Sequence, residues 1–442
     1  MNKHLRTIIL SAFLAGTSVN VSATDLVGGG SDSVALSIVG NGFLSTDPIS
    51  RLSTIAGIYA GFDPNWNVYE QSSASPGSIF YYFEANNPLH TASYCQTGSG
   101  TGKKILLGLP GLLGEGDYHA AKDCRDYSAY PPGFSAPSGM DRPDFVFSSA
   151  PLRADDVADF IEGPNTEGDG LFQIPALGTL IALPVNLGAW TRPNFNNLQI
   201  CNIFSGIAQT WDEIDSSYPA QPIHVVYRRD PSGTTFAFSQ YLAAICNGNY
   251  GISSNFFKTS EKFTDAVPPT PPPTWLYSLS SEEWGTPEVV DQITAQPWSI
   301  GYANLANVLA SNLDYADVNG TDPATVTSVN YGTGDLLVNT VLDNVNPYTG
   351  LPQTQPVYNI PISDPQRPDG CVNVIDPAAQ LHQEYPIAAV INLVGYTQNN
   401  ADPQTLRALA REVVNGSSSL PTGYVRLGTA STMDQLAGTC IN

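Results

Sequence analysis

The chain has 442 residues, of which 42% are hydrophobic and only 13% charged, with 39 Gly, 35 Pro and a formal net charge of −22. Its length suffices for two domains with separate cores, and its acidity excludes a basic face for nucleic acid or an anionic membrane. Exposed carboxylates are screened within about 10 Å at moderate salt, so a small anion buried against local N–H dipoles remains compatible with that charge.

At the start, Lys3 and Arg6 precede an apolar run over 7–16 and then Val21, Ser22 and Ala23. This is the layout of a cleavable secretory signal over 1–23, with the mature chain beginning at Thr24. The run is shorter than the roughly 20 residues of a membrane span, and the first cysteine is Cys95. The expectation is therefore a monomer in the periplasm or the medium, without a membrane or lipid anchor. Six cysteines with no Cys-x-x-Cys pair favour disulfides over zinc in an exported chain. Sequence neighbours are the expected partners: Cys95 with Cys124, Cys201 with Cys246, and Cys371 with Cys440. No metal or cofactor is expected.

Short strands alternate with modest helices, a mixed α/β pattern. In chain order, strands are predicted over 33–38, 104–109, 144–147, 178–185, 224–227 and 387–394. Helices are predicted over 154–160, 197–204, 235–244, 287–295 and 403–415. Asp402 before Pro403 gives the last helix an N-cap followed by proline at its first position. Residues 267–274, rich in proline, read as an extended surface excursion.

Four stretches offer chemistry. Gly28 to Ser33 is a glycine run carrying Asp32 and Ser33, placed just ahead of a strand; glycines let a backbone approach a ligand closely. Gly98 to Lys103, with Ser99, is a second glycine-rich turn. It fails as a nucleotide phosphate loop because Thr97 and Lys104 stand where Gly and Ser/Thr are required. Residues 144–152 form an apolar strand ending in Ser148 and Ser149, whose hydroxyls would face a cleft as donors or acceptors. The fourth stretch, 227–236, is the most informative. A β-like run leads through Arg228 and Asp230 into Ser232, Gly233 and Thr234 at a helix N-terminus. There free N–H groups and the helix dipole suit an anion, Arg228 can add a bidentate pair, and Asp230 can hold its guanidinium. Each stretch also has a plain structural reading as a cap, a turn or a tail.

Taken in order, these stretches resemble the phosphate-binding proteins of ABC-type phosphate uptake systems, and especially their secreted relatives, the DING proteins. The likeness extends to 171–178, to 203–211 (with Ala208 where the pattern has Ile) and to 298–302. It covers roughly 25–110 and 140–305.

The resemblance implies a type II periplasmic-binding-protein fold with two α/β lobes joined by crossing hinge strands. Residues 24–176 and 300–442 would form lobe 1, and 177–299 lobe 2. It implies phosphate, or a similar tetrahedral oxyanion, bound between the lobes by Asp32, Ser33, Ser99, Ser149, Arg228, Ser232, Gly233 and Thr234, with Asp230 in support. An ABC transporter permease is the implied partner. Two positions depart from the pattern: Asp32 stands where it has Thr, and Ser149 where it has Asp. Loss of the second carboxylate would weaken discrimination against sulfate unless Asp32 takes over its acceptor role from across the cleft.

Two other readings stay open. A phosphatase on the same scaffold would need an activated nucleophile or a metal, and His90, His119, His224 and His382 form no close pair in the sequence. An extracellular adhesin would reuse the fold without the ligand.

Overall fold

A computed structural model describes residues 24–34, 37, 79–84, 90–108, 143–163, 170–190, 192–268, 276–359, 370–415 and 420–442. The signal segment, most of the proline-rich excursion and the Cys95–Cys124 pairing lie outside the described residues. No helix among those described is long and apolar enough to cross a membrane.

In chain order the strands that build the site are β1 (Thr24–Ser31), β2 (Ile79–Glu84), β3 (His90–Thr97), β4 (Phe145–Ser148), β5 (Leu171–Asn186), β6 (His224–Arg228), β7 (Leu279–Glu283), β8 (Ser299–Gly301), β9 (Ala388–Tyr396) and β10 (Tyr424–Leu427). The helices around them are α1 (Ser99–Leu106), α2 (Ala154–Glu162), α3 (Asn197–Phe204), α4 (Gly233–Cys246), α5 (Gly285–Ala295), α6 (Pro403–Asn415) and α7 (Ala430–Cys440). Hydrogen-bonded neighbours run β2-β3-β1-β4-β9-β5-β8-β6-β7.

The centre of this path is β5, buried along its length up to Val185. A strand covered on both faces reads as a near-continuous apolar run, as 171–185 does. Its first part pairs antiparallel with β9, from Leu171 opposite Tyr396 to Leu180 opposite Ala388, and its last residues, Val185 and Asn186, pair with β8. One strand thus serves both halves of the sheet. Pro175 cannot donate to a ladder, and the register with β9 slips beside it, between Ile391 and Asn392.

Helices begin where the sequence supplies caps. Asn196 accepts from Gln199 N at the start of α3, and Asp402 accepts from Thr405 N at 3.0 Å at the start of α6. Helix α4 is apolar on nearly every face, which requires burial all round. Phe238 meets Phe204 of α3 at 4.7 Å and Tyr302 at 4.6 Å between ring centroids. Cys201 of α3 bonds Cys246 at the end of α4, and Cys371 bonds Cys440 at the end of α7, as sequence order suggested.

Two predicted strands are corrected. The described residues of 33–38 are not in a strand: β1 precedes them, and Asp32–Val34 form a 3-10 turn. The glycine run therefore lies inside a central strand, parallel to β3 and β4. A Cβ at Gly28 would fall 2.1 Å from the Phe145 ring, and a Cβ at Gly30, at φ +111°, would fall 2.2 Å from the Phe147 carbonyl oxygen. The described residues of 104–109 are likewise not in a strand; Lys104, Ile105 and Leu106 close helix α1. Ile105, Leu106 and Leu107 pack with Val146, Leu152, Val157 and Phe160. A short apolar run carries no period that separates a buried strand from a buried helix, and here packing under β4 selects the helix.

Candidate functional site

Strands β1, β3 and β4 are mutually parallel, as are β6, β7 and β8. The candidate residues follow the carboxyl ends of β1, β3, β4 and β6, where open α/β sheets place ligands.

Three hydroxyls form a closed ring: Ser31 to Ser33 at 2.6 Å, Ser33 to Ser149 at 2.8 Å and Ser31 to Ser149 at 3.0 Å. Each hydroxyl can donate once and accept twice, so the ring can turn its donors outward to an oxyanion. Ser149 N donates to Ser99 Oγ at 3.0 Å, which brings the N-terminus of α1 into the group. Ser148 does not face it; its hydroxyl folds back onto the Ala150 carbonyl.

From the other side comes Arg228, only 1% exposed at the end of β6. Asp230 grips it in bidentate fashion, Nε to Oδ1 at 2.7 Å and Nη2 to Oδ2 at 2.5 Å. Nη1 donates to Thr286 Oγ1 at 3.0 Å and stands 3.0 Å from Asp32 Oδ2. Asp32 Oδ2 also accepts from Thr286 N at 2.5 Å. Burial opposes the charge on Arg228, but Asp230 and Asp32 outweigh it and raise its pKa. Burial raises the pKa of Asp32, helped by Asp230 and opposed by Arg228 and the Thr286 N–H.

Ser232 spends its hydroxyl as the N-cap of α4, accepting from Thr234 N at 3.1 Å and Thr235 N at 3.3 Å. The ordinary capping reading is thus realised for that side chain. Gly233 lies against β4: a Cβ there would sit 2.4 Å from Ser149 Cβ. The N-terminus of α4 and the serine ring therefore share one spot, and only glycine permits the approach.

Asp32, Ser33, Ser99, Ser149, Arg228, Asp230, Ser232, Gly233 and Thr234 are all buried. Asp32 reaches Arg228, while its neighbour Ser33 reaches Ser149. Sequence reading passed over Ser31, Thr286 and Tyr302. Tyr302 accepts from Arg228 N at 3.2 Å and meets Thr235 Oγ1 at 2.9 Å. Ser31 stood within the first glycine run and Tyr302 within the family-like stretch 298–302, whereas nothing local marks Thr286.

Beside this cluster lies a buried ion triad. Lys103 of α1, 2% exposed, reaches Glu261 at 2.7 Å and Asp156 of α2 at 3.1 Å. Burial works against its charge, but the two carboxylates outweigh it and raise its pKa. Elsewhere, Asp317 and Asp322 both pair with Arg192.

The profile of the PBP superfamily domain matches residues 69–380. "Alkaline phosphatase L" of Pseudomonas aeruginosa strain PAO1 is 29% identical over 237 residues, covering 52% of this chain and 54% of that protein. "Phosphate-binding protein PstS 3" of Mycobacterium tuberculosis strain H37Rv is 32% identical over 115 residues, 24% of this chain and 30% of that protein. The chain spans about half the length of the first of these relatives and less of the second. Among solved structures, a phosphate-binding protein from Stenotrophomonas maltophilia superposes with a TM-score of 0.51 at 19% identity, covering 94% of this chain and 90% of that one. A periplasmic phosphate-binding protein, PfluDING, superposes with a TM-score of 0.53 at 18% identity, covering 94% and 92%. At such identities the likeness is one of fold.

Proposed function

The chain belongs to the PBP superfamily, and from that premise we propose that it is an exported solute-binding protein that captures inorganic phosphate, or a similar tetrahedral oxyanion, between two lobes. Residues 24–176 with 300–442 form one lobe and 177–299 the other, with β5 and the segment at β8 as crossings. A permease of an ABC-type uptake system receives the ligand. The likeness to proteins named as phosphate-binding supports the ligand class.

The observation that carries the reading is convergence. The Arg228 guanidinium, the ring of Ser31, Ser33 and Ser149, Ser99, and the N-terminus of α4 at Gly233 and Thr234 meet at the ends of strands from both halves. Charge-assisted and neutral donors gathered in a water-poor cleft suit a tetrahedral oxyanion. Micromolar affinity needs roughly −8 kcal/mol, within reach of one arginine and several such donors. Closure of the lobes about the crossing strands completes the mechanism.

Isothermal titration of the ligand-stripped protein with phosphate tests this. Binding that Arg228→Lys weakens about tenfold or more supports it, because lysine keeps the charge but loses the planar fork. A folded wild-type protein with no affinity for phosphate refutes it.

The likeness to a protein named alkaline phosphatase L favours a second reading, hydrolysis of phosphate esters with a serine of the ring as nucleophile. Turnover of a chromogenic phosphate monoester, lost in Ser33→Ala or Ser149→Ala, would establish it.

A further inference from the structure

The guanidinium of Arg228 is the strongest donor group in the cleft, and its hydrogens can be counted. Of five, Asp230 takes Nε–H and one Nη2 hydrogen, and Thr286 Oγ1 takes one from Nη1. Two hydrogens remain, one on Nη1 and one on Nη2, and Nη1 stands 3.0 Å from Asp32 Oδ2 as an ion pair. An arginine grips an oxyanion with two parallel N–H groups on one edge, and here both edges already carry a carboxylate.

Asp32 is held in that place. It is 4% exposed, and its Oδ2 also takes the Thr286 N–H at 2.5 Å. Its ion pair with Arg228 joins the turn after β1 to the end of β6, and so joins the two halves of the sheet. One guanidinium between two carboxylates leaves this buried group with a net charge of −1 when all are ionised, and an arriving anion meets that charge.

On the oxyanion-binding reading above, we propose that Asp32 is a built-in anion of the cleft. Its carboxylate holds the edge of Arg228 that an oxyanion needs, so that the ligand binds in competition with it and binds best when Asp32 is neutral. This residue thereby sets both the affinity of the site and its response to acid.

The titratable groups packed around Asp32 are Arg228 and Asp230 on the β6 side, Tyr424 of β10, whose hydroxyl donates to Ser33 O, and Tyr302 beside Arg228. Burial pushes both tyrosines far up, so they stay neutral across the working range. Burial also raises Asp32, which favours its neutral form.

The test uses the full mature chain and sulfate, whose charge does not change across the pH values compared. Affinity is measured by isothermal titration at about pH 5 and about pH 8 for the wild type, Asp32→Asn and Asp32→Ser; linkage of one proton gives about tenfold per pH unit at most. The expected result is sulfate binding at least about tenfold tighter at the lower pH in the wild type. Both variants bind at the higher pH at least about tenfold more tightly than the wild type, with little pH dependence left. Phosphate at the higher pH follows the same order. Sulfate or phosphate binding that both variants leave unchanged in strength and pH dependence overturns the role of Asp32 while the oxyanion reading stands. Folded wild type and variants that bind neither anion at either pH overturn that reading, and this proposal with it.

Discussion

Replacing Lys103 with methionine keeps an unbranched side chain of similar length but removes the cation that Asp156 and Glu261 share. Removing one partner of a buried ion pair costs about 3–5 kcal/mol, because the remaining charge is left desolvated. Here the carboxylate side chains are 20% and 17% exposed, so water recovers part of that loss and about 3 kcal/mol is expected. The assay is urea unfolding, read as a fall in midpoint at unchanged slope. Triple replacement, Lys103→Met with Asp156→Asn and Glu261→Gln, removes the stranded charges and should recover most of the loss. The amide oxygen introduced by Asp156→Asn would still accept the Arg153 N–H that the Asp156 carboxylate takes at 2.9 Å. The pH dependence follows from the sign of the Lys103 shift: its folded pKa is raised. Its contribution is full below the unfolded value of about 10.4 and is lost as pH rises through the folded value. The deficit of Lys103→Met should therefore stay constant from neutral to mildly alkaline pH and close beyond it. A single variant within about 0.5 kcal/mol of wild type, or a triple variant as unstable as the single one, would refute this account.

Other outcomes follow from the same geometry. Gly233→Ala places a methyl 2.4 Å from Ser149 Cβ; the start of α4 must move away from β4, and phosphate affinity should fall at least about tenfold in titration, a cost of about 1.4 kcal/mol. Cys201→Ser with Cys246→Ser opens a bridge of sequence separation 45. On the chain-entropy estimate it costs about 4 kcal/mol, visible as a lower urea midpoint that reducing agent does not lower further through this bridge. Asp402→Ala removes the acceptor for Thr405 N and should cost about 1 kcal/mol without altering anion affinity.

Whatever rests on neighbours along the chain could be read before any fold was known. Helices α3 and α6 are legible because Asn196 and Asp402 stand where caps are needed and their apolar residues recur with helical spacing. The Arg228–Asp230 pair is legible because two residues at a strand end can fold onto each other, and the anion-suited turn into α4 because Ser232 caps the helix that follows. Of β5, which runs from Leu171 to Asn186, the sequence predicted a strand only over 178–185. The remainder was settled by the packing of distant segments. The apolar run after Lys103 became a helix because the packing under β4 had room for one, and the first glycine run became a central strand because Phe145 and Phe147 approach it too closely for any Cβ. The serine ring, the Lys103 triad and the placement of Asp32 on Arg228 join residues far apart in the chain. Their energies come from burial and charge at distances that no local spacing encodes. The sequence could name the residues of the site, but it could not show that the Asp32 carboxylate stands on the Arg228 guanidinium.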